Sequence, residues 1–192
     1  YRLESGADNE VWSYGPEIEE TFVSYIRLRE ALRPYTRALM AEAHEHGTPV
    51  MRGLFYEFPD DACCWQVGDQ FLFGADVLVA PVLEPGATER DVYLPVGATW
   101  TDARTGEEFD GGQTVRAAAP LASIPVFART PEALALLGDD HPGCQARVLS
   151  ALANYHSVVL ADVRSGRPYA DRALVVASDD ETRAEALWAV AC

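Results

Sequence analysis

Glu57, Asp60 and Asp61 crowd into the run Glu57-Phe58-Pro59-Asp60-Asp61. Paired carboxyl groups can do general acid and base work when they hold a bond between them. Neighbours in a chain do not flank a bond from opposite sides, and a Pro-Asp-Asp run favours turn initiation. These acids read first as solvated turn formers. His44 and His46 lie two apart on a predicted helix and point in different directions. They suit a last helical turn before Gly47 better than a metal site. The four cysteines are Cys63, Cys64, Cys144 and Cys192. Adjacent Cys63 and Cys64 are poorly placed for a mutual disulfide and make no Cys-x-x-Cys knuckle. No histidine sits at zinc-ligand spacing from them. No metal and no organic cofactor are expected, and the sparse cysteines favour a reduced, cytoplasmic chain. Gly-x-Ser-x-Gly and the Gly-rich phosphate loops are absent. Arg164, Arg167 and Arg172 could meet an anion, but a solvated loop explains them better.

The elements that must position these residues fall into three stretches. Gly15-Pro16 followed by Glu17, Glu19 and Glu20 is a helix start, because proline fits the first turn and acids suit its positive end. From Phe22 to Ala43 apolar residues recur at three- and four-residue steps, giving a helix of about thirty residues that Pro34 should kink or split. Val50 to Phe55 reads as a buried parallel strand. Gln70 to Phe73 reads as short helical or irregular. Then come short strands at Val77–Val82, Asp91–Leu94, Thr99–Asp102, Thr114–Ala117 and Ile124–Arg129, separated by Gly and Pro turns, the pattern of an antiparallel sandwich or barrel. Beyond His141 the chain predicts a helix at Cys144–Tyr155, strands at Val158–Val163 and Leu174–Ala177 around a turn at 165–168, and a helix at Asp179–Ala191.

The chain has 192 residues, 48% apolar and 23% charged, which is the composition of a folded globular protein with a core. Its net charge of -15 argues against nucleic acid and against an anionic membrane surface. Its apolar runs stay under about ten residues, too short to span a bilayer as a helix. Tyr1, with no initiator Met and no leader, reads as the start of a fragment or of a processed chain.

Three segments carry a resemblance. Thr48-Pro49-Val50-Met51-Arg52 runs through Glu57-Phe58-Pro59-Asp60-Asp61. Asp69-Gln70-Phe71-Leu72-Phe73-Gly74 runs on to Val77-Leu78-Val79-Ala80-Pro81-Val82. Tyr93-Leu94-Pro95 precedes Gly97 and Trp100, and Ile124-Pro125-Val126-Phe127-Ala128-Arg129 closes the series. In this order and spacing they resemble glycoside hydrolase family 31, the α-glucosidase and α-xylosidase group, over about residues 2 to 140. The segment from Arg2 to Trp12 and Tyr14 is similar to the α-xylosidase-like branch.

The resemblance implies a fold in three parts. Residues 1–80 would be the end of a (β/α)8 TIM barrel, residues 81–140 a proximal antiparallel β-sandwich, and residues 141–192 an α/β tail with no family counterpart. It also implies a retaining α-glycosidase acting on terminal α-linked glucose or xylose. Such enzymes need a nucleophile and an acid/base about 5 Å apart. In the family both are Asp residues on earlier barrel strands, so no residue here is assigned as catalytic. Trp100-Thr101-Asp102 only looks like the nucleophile strand, and it falls in the sandwich. Arg52 follows the implied eighth strand, where barrel enzymes place their sites, but a salt bridge from strand to helix is an equal alternative. Phe55, Trp65 and Tyr56 could line a sugar site, because flat sugar faces stack on aromatic rings, with core packing as the plainer reading. The partner is then an α-glucoside or α-xyloside met through the parent enzyme, with homo-oligomer formation left open. The rival is a truncated, non-catalytic module that binds carbohydrate or a partner chain. It asks for aromatics on an exposed strand face, where Tyr93 and Trp100 are the candidates.

Overall fold

The computed structural model describes residues 14–138, 163–177 and 182–184. The chain forms two compact units, one of Leu32–Gly138 and the other of the segments on either side of it.

The Leu32–Gly138 unit begins with α2 (Arg33–His46), which ends on Gly47 in the left-handed conformation. Eight strands follow: β1 (Met51–Arg52), β2 (Phe71–Phe73), β3 (Val77–Val79), β4 (Glu89–Leu94), β5 (Thr99–Asp102), β6 (Glu108–Asp110), β7 (Gln113–Ala118) and β8 (Val126–Ala128). A short helix, α3 (Leu54–Glu57), and a 3-10 turn (Ala62–Trp65) lie between β1 and β2, and α4 (Pro131–Leu137) follows β8. Six strands form one antiparallel sheet in the order β1-β2-β3-β8-β5-β6, while β4 and β7 pair as a separate ribbon.

Alternation along the strands explains the layers, because successive side chains point to opposite faces. Leu72, Leu78 and Phe127 lie in register across β2, β3 and β8. They join Val92 and Leu94 of β4, Ala117 of β7 and Trp100 of β5 in one core cluster. The two sheets thus share a core as a β-sandwich. Phe73, Val77 and Ala128, one step along the same strands, belong to a second cluster with Tyr35 of α2 and Ala133, Leu134 and Leu137 of α4. The six-stranded sheet is therefore covered by the β4–β7 ribbon on one face and by helical residues on the other. Trp100, wholly buried, satisfies its indole N–H on the Pro95 carbonyl at 3.2 Å.

Several elements differ from the sequence expectation. The long helix is two, α1 (Pro16–Ala31) and α2, with the break at Leu32 and Pro34 in the first turn of the second. Val50–Phe55 is not a parallel strand. Only Met51 and Arg52 form strand, they pair antiparallel with β2, and the chain turns helical at Leu54. Gln70–Phe73 is largely strand, since Phe-Leu-Phe alternates and Gly74 at φ +67° closes the β2–β3 hairpin. Every strand pairing among the described residues is antiparallel, so they display the sandwich and not a parallel barrel end. β6 had no sequence signal strong enough to place it.

In the other unit, α1 carries Glu17 and Glu19 in its first turn, and Tyr14 stacks on Phe22 with centroids 6.4 Å apart. Residues 165–168 are no turn and 174–176 no strand, because α5 (Val163–Val176) runs through both with Pro168 inside it. Ala170 and Ala173, three apart, are the buried positions among its described side chains, a helical spacing that a short Leu-Val-Val run conceals. Arg167 pairs with Asp171 one turn on, at 3.1 Å, rather than standing in a loop. The expected helix at Cys144–Tyr155, the strand from Val158 up to residue 162, and most of the helix at Asp179–Ala191 lie outside the described residues.

Candidate functional site

The turn between β1 and β2 gathers the residues singled out from sequence. Arg52 ends β1 with its side chain only 4% exposed. Its Nε donates to the Pro49 carbonyl at 2.7 Å, one terminal nitrogen pairs with Glu57, and the other reaches Glu42 of α2 at 3.5 Å. The guanidinium carbon also lies 5.5 Å from the centre of the Tyr56 ring. A planar fork with five donors can tie three segments in this way where a lysine cannot. The Arg52–Glu57 pair spans five residues, so it helps to bend the chain out of the strand and into α3.

Phe55 and Trp65 come together across that turn. Their rings stack with centroids 4.9 Å apart and 24° between planes. The Trp65 indole N–H donates to the Pro59 carbonyl at 2.9 Å. Both side chains remain open to solvent, Phe55 at 42% and Trp65 at 59%. Tyr56 is exposed as well. This is a flat aromatic surface with its polar edge already satisfied.

The carboxylates around it are engaged in structure. Asp61 caps the 3-10 turn by accepting from the Cys63 N–H at 3.0 Å. Its other oxygen accepts the Tyr93 hydroxyl at 2.7 Å and the Val96 N–H at 3.0 Å. Burial pushes its pKa up, but these donors and the Cys64 thiol outweigh that and hold the carboxyl below its ordinary value. Tyr93 is correspondingly raised, by burial first and by Asp61 second. Burial pushes the Cys64 thiol up to about 12, with Asp61 adding to it, so this thiol is inert at neutral pH. Cys63 and Cys64 are both free thiols. Asp69 pairs with Arg90 at 2.6 Å and Asp76 with Arg129 at 3.1 Å. Asp102 accepts the Arg104 and Thr105 N–H groups and so forms a turn, and Trp100 beside it is core. Among the described residues no group of three His, Cys, Asp or Glu could hold a metal. No described helix is long and apolar enough to cross a membrane.

Tyr93 and Trp100 do not form an exposed aromatic face. Trp100 is fully buried, and Tyr93 packs against the core with its hydroxyl on Asp61. Within the Leu32–Gly138 unit the exposed aromatics are the turn residues Phe55, Tyr56 and Trp65 instead. Sequence reasoning also passed over Gly53 and took Pro59 only as a turn former. A Cβ on Gly53 would come within 2.4 Å of the Phe55 ring, so a larger residue there would push that ring aside, and the Pro59 carbonyl fixes Trp65. The signal for the first was Gly-x-Phe at the mouth of a strand, which admits many structures.

Residues 47–133 match the family described as the glycosyl hydrolase family 31 C-terminal domain. The chain is 45% identical over 127 residues to alpha-glucosidase 2 of Bacillus thermoamyloliquefaciens, covering 66% of this chain and 16% of that protein. It is 37% identical over 129 residues to an alpha-xylosidase of Saccharolobus solfataricus, covering 67% and 18%. Among solved structures, an alpha-xylosidase of that family from a soil metagenome, complexed with xylose, is similar with a TM-score of 0.67 and 51% identity. That match covers 69% of this chain and 20% of the other. The chain thus spans less than a fifth of the length of these two curated relatives. The order of motifs, the antiparallel sandwich and these likenesses agree, and residues 47–133 are a glycosyl hydrolase family 31 C-terminal domain.

Proposed function

We propose that this chain is the C-terminal portion of a retaining α-glycosidase that hydrolyses terminal α-linked glucose or xylose. The observation that carries this reading is the 45% identity to an alpha-glucosidase, confined to 16% of that protein's length. The nucleophile and the acid/base lie upstream, in parts of the parent that this chain does not match. Of the stretch 1–80, the part before β1 belongs to the end of the catalytic barrel, the supporting sandwich takes in β1–β3 and continues through residue 140, and residues 141–192 are an unassigned tail. Retaining hydrolysis needs two carboxyl groups and water, so no cofactor is called for. The engagement of Glu57, Asp61, Asp69 and Asp76 in ion pairs and hydrogen bonds supports a structural part for this portion. Phe55 and Trp65 are its sugar-facing residues, while Arg52, enclosed by Glu42, Glu57 and Tyr56, serves by fixing α3. The parent works in the cytoplasm.

The chain alone is then inactive. Assayed on aryl α-glucosides and aryl α-xylosides it should give no turnover above buffer. Turnover that disappears in Glu57→Gln or Asp60→Asn would overturn the proposal. The exposed Phe55–Trp65 stack favours one second reading, a non-catalytic carbohydrate-binding or interaction module. The coding sequence upstream of Tyr1 separates the two. An in-frame barrel with a Trp-x-Asp strand end supports the glycosidase, and a stop codon directly upstream supports the module.

A further inference from the structure

We propose that the outer face of Trp65 is a stacking site for a single neutral pyranose ring, and that Gly53 is the residue that makes it possible. This deepens the sugar-facing reading of Phe55 and Trp65 and rests on it. The site is layered. Gly53 leaves the space that one side of the Phe55 ring fills, since a Cβ there would stand 2.4, 2.8 and 3.1 Å from three of its ring carbons. Phe55 in turn backs Trp65, nearly parallel and 4.9 Å away. The Pro59 carbonyl holds the indole N–H at 2.9 Å, which fixes the ring in its own plane. One indole face is used on Phe55 and the polar edge on Pro59, so the 59% exposure falls largely on the opposite face. A rigid aromatic face loses little conformational freedom when a ligand lies on it.

The surroundings choose the ligand. Asp60, the residue after the carbonyl that holds the indole, is exposed, and the chain carries a net charge of -15. An anionic ring is repelled there, whereas a neutral sugar can lay its C–H face on the indole and donate hydroxyls to a carboxylate. A single stacked ring of this kind binds weakly, with a Kd of about 1 mM or above.

The test is a titration of the whole 192-residue chain with maltoheptaose, following the indole N–H resonances by NMR. The Trp65 resonance, identified by its loss in Trp65→Phe, should shift and saturate while that of buried Trp100 stays still. Trp65→Ala should remove saturable binding. Gly53→Ala should weaken it by about 3- to 10-fold, although Gly53 touches no sugar. Phe55→Leu should do the same without crowding the backbone, and an unchanged Trp100 resonance shows that either variant is folded. No shift of Trp65 with maltoheptaose overturns the site. An equal shift with an oligogalacturonate overturns its preference for neutral rings. Unchanged affinity in both folded variants overturns the part given to Gly53 and Phe55. Binding here needs no catalytic carboxylates, so its failure leaves the turnover assay to decide the glycosidase reading separately.

Discussion

At the scale of single residues, the β1–β2 turn is held by one cation and one anion. Arg52 is almost wholly enclosed, with Glu57 partly buried and Glu42 more open. Removing the cation leaves two carboxylates facing one another's field with no compensating donor, and it frees the Pro49 carbonyl. Breaking a fully buried pair in this way costs about 3–5 kcal/mol, and the exposure of Glu42 discounts that here. Arg52→Met should lower unfolding stability by about 2 kcal/mol in urea titration, with Arg52→Lys only partly restoring it. A loss below about 0.5 kcal/mol would mean the ion pairs are incidental. Asp61 makes a different prediction, because its folded pKa is depressed below the ordinary 3.8. A depressed carboxyl contributes stability that is present above its unfolded pKa and is lost as pH falls through the folded one. The urea midpoint of the wild-type chain should therefore begin to drop below about pH 4, and Asp61→Asn should flatten that limb while lowering stability at pH 7. Equal pH profiles for the two proteins would remove Asp61 from the account.

At the scale of elements, the β2–β3 hairpin is fixed by α2. The Tyr35 hydroxyl donates to the Phe73 carbonyl at 3.1 Å, and Gly74 turns the chain beneath it at φ +67°. A Cβ at Gly74 would meet the Tyr35 oxygen at 2.1 Å and a Leu39 methyl at 2.9 Å. Gly74→Ala therefore combines an unfavourable left-handed alanine with a clash, and should cost about 2–3 kcal/mol in stability. Gly86→Ala, at a similar φ with open space around it, should cost about 1 kcal/mol, so the difference measures the packing of α2 on the hairpin. Indistinguishable losses would mean that Tyr35 moves aside freely. These elements also mark how far the sequence could be read. β4, β5, β7 and β8 were legible because Gly and Pro turns bound short alternating runs, and family motifs fixed their order. β1 was not, because what ends it is Arg52 reaching Glu57 and Glu42, and that tertiary pairing has no local signature. α5 was not, because a proline and a Ser-Gly pair outweigh two buried alanines in any local reading. In the candidate site, Phe55 and Trp65 were visible as residue types. Their stacking depends on Gly53 and on a carbonyl six residues away, and neither has a side chain to announce it.

At the scale of the whole molecule, charge dominates. The 30 acidic residues outnumber the 15 basic ones, and many of the basic ones in the described structure are already paired. Arg116 faces Glu89 and Asp91 across the β4–β7 ribbon, at 2.9 Å from each, and so offsets two acids on one exposed strand. Compact folding brings the remaining acids closer together than the unfolded chain does, and their repulsion opposes folding. Added salt screens that long-range repulsion, while the close ion pairs lose less because they act within a Debye length of about 10 Å at 0.1 M. The balance at a net charge of -15 favours the repulsive part. Raising sodium chloride from low to moderate concentration at pH 7 should therefore stabilise the chain, by about 1 kcal/mol, seen as a higher urea midpoint with unchanged slope. Arg116→Gln should enlarge that gain, since it leaves Glu89 and Asp91 uncompensated on neighbouring positions of one strand face. A salt dependence of opposite sign would show that the paired cations, and not the excess acids, set the electrostatic balance of the fold.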